Sequence, residues 1–109
     1  MTEPYGVVYV IKNNVSEKRF FGVAPHRNLR KRILGHILLL ENDLHPNTHL
    51  QRSFNLYGVR AFKFEAVKEA LTRRRLEEIC EELIDEFDTT NGDFGYNHRY
   101  VLREDDIKL

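Results

Sequence analysis

Residues 6–12, Gly-Val-Val-Tyr-Val-Ile-Lys, form a run of β-branched and aromatic side chains, the pattern of a buried strand. Asn13-Asn14 interrupts it with turn chemistry. Lys18 to Val23 then alternates loosely, so the two runs predict a hairpin that Pro25 ends. Leu29, Ile33, His36, Ile37 and Leu40 recur at helical spacing and predict a helix after Asn28 with these five on one face. Asn42-Asp43 and Pro46 break that pattern. Thr48 with Gln51 three residues on has the spacing of a capping box and opens a second helix through Tyr57, with Gly58 as its stop. Phe62, Phe64, Ala66 and Val67 predict a third strand. Leu76, Ile79, Cys80, Leu83, Ile84 and Phe87 make the apolar stripe of a third helix, and Asn91-Gly92 and Gly95 open an irregular tail.

The order β-β-α-α-β-α predicts a mixed α/β (α+β) fold: a small antiparallel three-stranded sheet flanked by three helices. A chain of 109 residues is expected to form a single domain, 1–109, with one core. Seventeen Lys and Arg balance seventeen Asp and Glu, so nucleic acid can be held only through a local basic patch. One cysteine, Cys80, excludes an internal disulfide framework and suits a reducing compartment. No apolar run is long enough to span a membrane, and the N-terminus lacks a signal-peptide pattern. The expected location is the cytoplasm, with no membrane partner.

The candidate chemistry lies in a few polar side chains. Tyr9 reads either as a strand tyrosine with a satisfied hydroxyl or as a base for activating water. Arg32 and His36 lie one helical turn apart and share a face. One reading puts the histidine at the core edge and the arginine in solvent. The other joins Arg32 to Arg27, Arg30 and Lys31 in a phosphate-binding patch. His45 and His49 flank Pro46 and read as surface loop histidines. Arg52 and Asn55 fall on the exposed side of the second helix, within reach of a DNA backbone. Arg73, Arg74 and Arg75 at the start of the third helix, and Glu81, Glu82, Asp85, Glu86 and Asp88 in its second half, both oppose the helix dipole. Helix stability does not account for that order, and an acidic face could meet a basic protein.

The succession Val7-Val8-Tyr9, Phe20-Phe21-Gly22, Arg32-x3-His36, His45, Leu50-Gln51-Arg52-Ser53-Phe54-Asn55 and Asn97 resembles the GIY-YIG family of metal-dependent nucleases. Over residues 5 to 98 the chain is most similar to the catalytic domains of phage intron homing endonucleases. The resemblance implies catalytic roles for Tyr9, Arg32, His36 and His45, with Asn97 supporting the site. It implies nucleic-acid contacts from Arg27, Arg30, Lys31, Arg32, Arg52 and Asn55. It also implies Mg2+ or another divalent cation as cofactor if the chain is active. Two positions depart from the family. Phe20 replaces the second-motif tyrosine, and Cys80 stands where a glutamate on the third helix holds the metal, with Glu77 and Glu81 as nearby substitutes. A thiol is a poor ligand for a hard cation.

The expectation is therefore an endonuclease-like domain that binds DNA with catalysis weakened or lost. The alternatives are an active homing-type endonuclease and a protein-binding inhibitor or decoy on the nuclease fold. The last seven residues, Arg-Glu-Asp-Asp-Ile-Lys-Leu, are too short and acidic for a DNA-recognition domain, so site-specific binding would call for a homodimer or a protein partner.

Overall fold

The structure is a computed structural model, and it describes residues 4–98. Strand β1, Gly6–Asn13, lies at the centre of a three-stranded antiparallel sheet of order β2-β1-β3, between β2, Arg19–Pro25, and β3, Phe62–Ala70. Helix α1 spans Leu29–Glu41, α2 Thr48–Tyr57 and α3 Arg73–Phe87. The predicted element order and class hold.

Strand alternation divides the core into two layers. Val8, Val10, Phe21 and Val23 face α3 and pack on Leu76, Cys80 and Ile84. Tyr9, Ile11, Phe20 and Ala24 face the opposite way, among Leu40, Leu50, Phe54, Phe62 and Tyr96. The sheet thus stands between α3 and the pair α1 and α2. Tyr9 pairs across the sheet with Gly22, and a β-carbon on Gly22 would sit 2.5 Å from the phenol carbon and oxygen of Tyr9. The glycine makes room for the tyrosine, and this joins the two motifs physically.

Several local expectations change. Asn13 is the last residue of β1, and its side chain accepts the amides of Val15 and Ser16 to shape the turn. The inner row of α1 is Arg32, His36 and Leu40, while Leu29, Ile33 and Ile37 are half-buried at its flank. The buried face is rotated by about one residue because Arg32 turns inward. Helix α2 is capped by Asn47, whose side chain accepts the Leu50 amide, and not by a Thr48–Gln51 box. Gln51 is drawn away instead. Its side chain accepts the His45 amide and donates to the Leu40 carbonyl, tying α1, the loop and α2 together. Gly58 closes α2 at φ 80°, its amide donating to the Phe54 carbonyl.

The arginine block at the start of α3 has a local explanation that its position in the helix alone did not suggest. Arg73 pairs with Glu77, Arg74 with Glu78, and Arg75 with Glu78 and Glu82, so each arginine meets a carboxylate one or two turns along. Among the described residues no helix is long and apolar enough to cross a membrane.

Candidate functional site

The site is built where β1, α1 and the α1–α2 loop converge. Tyr9 and His36 are fully buried, and Arg32 and His45 are 5% and 6% exposed. Tyr9 Oη lies 2.7 Å from His36 Nε2, and His36 Nδ1 lies 2.8 Å from His45 Nε2. His45 Nδ1 accepts the backbone N–H of Asn47 at 3.0 Å. The two imidazoles lie nearly in one plane, edge to edge, with ring centres 5.1 Å apart. His45 is therefore an interior residue and not a loop histidine in solvent, because Gln51 holds its backbone and its Nε2 meets the buried His36 ring. His49 is half-buried and sits edge-on to Tyr96, away from this chain of rings.

Burial governs the charge states. It lowers His36 to about 3, with His45 and Arg32 pushing the same way, and it lowers His45 to about 4 although a backbone hydrogen bond with Asn47 pushes the other way. Both rings are neutral at pH 7. Burial raises the Tyr9 hydroxyl well above its usual range, the Arg32 charge opposes that rise, and Cys80 adds to it. Arg32 is thus turned into the interior, near enough to act on both Tyr9 and His36, and is not a solvated surface arginine.

Phe20 packs beside this array, its ring centre 5.8 Å from His36 and 6.4 Å from Tyr9. It fills the place with carbon and supplies no proton. Asn97 lies elsewhere, on the outer edge of β2. Its carboxamide accepts the Phe21 amide and donates to the Phe21 carbonyl, both at 2.8 Å, and it also accepts the Thr89 hydroxyl. Every one of these contacts is structural.

The basic residues divide. Arg27, Arg30, Lys31 and Arg52 are exposed, whereas Arg32 belongs to the buried array. The exposed Asn55 has its amide engaged between Gln51 and Asp43. The block Leu50–Asn55 is otherwise mostly internal: Leu50 and Phe54 fill the core, Gln51 holds the His45 loop, and Ser53 accepts the Tyr96 hydroxyl. Sequence reasoning missed Asn47 and the structural role of Gln51. The signal for Asn47 was present as a cap-forming residue after a proline.

A hard divalent cation needs carboxylate and water oxygens. Cys80 is fully buried in the α3 layer, and its thiol is pushed up to about 12 by burial and the neighbouring Glu81 and Glu77, so it stays protonated. Glu77 is held by Arg73 at 3.1 Å, and Glu81 is exposed. Among the described residues no three His, Cys, Asp or Glu side chains come together as a metal site. The donor set does not fit the ion.

A buried tyrosine–histidine–histidine array beside an inward arginine, on a three-stranded sheet with two helices on one face and a third on the other, defines a nuclease-type domain. Solved structures of intron endonuclease I-TevI carry the same fold. A mutant of its catalytic domain is 30% identical, covering 84% of this chain and 91% of that one with a TM-score of 0.72. A second structure, of the catalytic domain of homing endonuclease I-TevI, is 26% identical over 84% and 98% with a TM-score of 0.73. The chain belongs to the GIY-YIG family of homing-endonuclease catalytic domains. No protein-family model and no curated protein sequence matches it.

Proposed function

We propose that this chain is a GIY-YIG endonuclease-like domain that binds DNA through phosphate contacts and has weakened or lost cleavage. One observation carries the reading: Cys80, which the family resemblance sets at the metal-ligand position, is a buried and protonated thiol. Phosphodiester hydrolysis in this family draws its electrophile from a divalent ion, which polarises the phosphate. The side chains present offer that ion no carboxylate at the family position. Phe20 removes a second hydroxyl from the same centre. For binding, Arg27, Arg30 and Lys31 at the entry to α1, with Arg52 on α2, offer exposed cations to phosphate oxygens.

The experiment is a cleavage assay on duplex and single-stranded DNA with Mg2+ or Mn2+. The unmodified chain is expected to cut neither above background, and Cys80→Glu combined with Phe20→Tyr to recover measurable cutting. Robust cutting by the unmodified chain that Glu77→Ala or Glu81→Ala abolishes would overturn the reading. The retained Tyr9–His36–His45 array favours that second reading, an active endonuclease with a displaced carboxylate.

A further inference from the structure

The hydrogen bonds between Tyr9 and Asn47 have a single consistent direction. A backbone amide can only donate, so the Asn47 N–H at 3.0 Å fixes Nδ1 of His45 as the nitrogen bearing a lone pair. Neutral His45 then carries its proton on Nε2, which faces His36 Nδ1 at 2.8 Å and must donate to it. His36 Nδ1 is thereby an acceptor, and the His36 proton sits on Nε2, 2.7 Å from the Tyr9 oxygen. The reverse order would set the Asn47 N–H against a second N–H on His45.

We infer that His45 and the Asn47 amide are positioning groups that lock His36 as a hydrogen-bond donor to Tyr9. His36 then has no lone pair directed at the tyrosine and cannot take its proton. The Tyr9 proton points away from His36, and any base that removes it approaches from another side. A donor into the phenol oxygen favours the phenolate, as does the nearby Arg32 charge, so the two oppose the cost of burial. Helix α2 is part of this device. Asn47 is its cap, and Gln51 one turn along holds the amide of His45.

The inference rests on Tyr9 being the tyrosine of the site, as the proposed function takes it, and its test reads nitrogen chemistry without any cleavage. The probe is the uniformly 15N-labelled full chain at pH 7, with long-range proton–nitrogen spectra of the histidine rings. His36 and His45 should each show a protonated Nε2 and a lone-pair Nδ1. A protonated Nδ1 on His36, or an imidazolium at either ring, overturns the inference. In Tyr9→Phe the His36 tautomer should be unchanged, because it is set from the His45 side. A switch in that variant would place control at Tyr9 and defeat the proposal. His45→Glu replaces the donor by an acceptor and should move the His36 proton to Nδ1. A folded His45→Glu protein that keeps the Nε2–H form also overturns it. Where that variant fails to fold, the spectra of the unmodified chain and of Tyr9→Phe decide.

Discussion

His36 and His45 link the site to stability through their protons. In the unfolded chain both titrate near the ordinary histidine value of 6.5, while in the fold they stay neutral down to about 3 and about 4. Between those limits the unfolded state binds protons that the folded state does not. Their contribution to stability is therefore complete above pH 6.5 and is lost as pH falls towards about 4 for His45 and about 3 for His36, at roughly 1.4 kcal/mol per pH unit for each ring. Tyr9 acts at the other end: its hydroxyl is raised from 10.0, so stability falls again as pH rises above that value. Urea unfolding from pH 4 to 8 should show a steep acid limb that becomes shallower in His36→Gln and His45→Gln. An unchanged limb in both would mean that other groups set it. Tyr9 and the Arg32–His36 pair were legible in the sequence, since strand patterning and a one-turn spacing point to them. The burial of His45 was not, because a loop residue is placed by tertiary partners, here Gln51 and the His36 ring, that no local pattern encodes.

Among the elements, α2 shows best how the sequence was read correctly in type and wrongly in detail. Thr48 and Asn47 are both capable caps, and the spacing to Gln51 favoured the threonine. The fold chose Asn47 because its side chain closes two contacts at once, accepting the Leu50 amide and donating to the Tyr96 carbonyl, while Gln51 is needed by the loop before it. Asn47→Ala should thus cost more than an ordinary cap, whose loss is about 1 kcal/mol. Thr48→Ala should be nearly neutral, since Thr48 is exposed at the first helical position. Chemical denaturation of the two variants checks this, and a larger loss for Thr48→Ala would restore the capping box. In α3 the apolar stripe was read correctly, whereas the Arg-to-Glu order needed side-chain reach to be understood. Those pairs are largely exposed, and they tidy the helix surface more than they hold the fold.

For the whole molecule, balanced charge means that the proposed DNA affinity has to come from a local patch. On that reading its cations are the exposed Arg27, Arg30, Lys31 and Arg52. If all four meet phosphates, log K against log salt should fall with a slope of magnitude about 3 to 4. Alanine at Arg27, Arg30 and Lys31 should lower that magnitude by about 1 each and weaken all sequences alike. Titration of a fluorescent duplex across salt concentrations measures both, and an unaltered slope in the triple variant would remove this face from the account. The charged segment Arg103 to Leu109 lies outside the described residues.

Asn97 carries a consequence for the company the domain keeps. The outer edge of β2 runs through Phe20 and Phe21, apolar backbone of the kind that invites a strand from another molecule. Gly95 bridges to Arg19, the Tyr96 amide donates to the Arg19 carbonyl, and the Asn97 carboxamide occupies both polar groups of Phe21, so the opening is closed by the chain itself. The β3 edge bears Lys63, Glu65, Lys68 and Glu69 instead, whose charges discourage an incoming strand. Asn97→Ala should turn the first of these edges into a template for self-association, visible in light scattering as growth with protein concentration, while Lys68→Ala should leave the protein dispersed. A dispersed Asn97→Ala protein would mean that the edge is guarded without it. Self-association of that variant would mean that, in this chain, a side chain of a nuclease fold serves to keep the molecules apart.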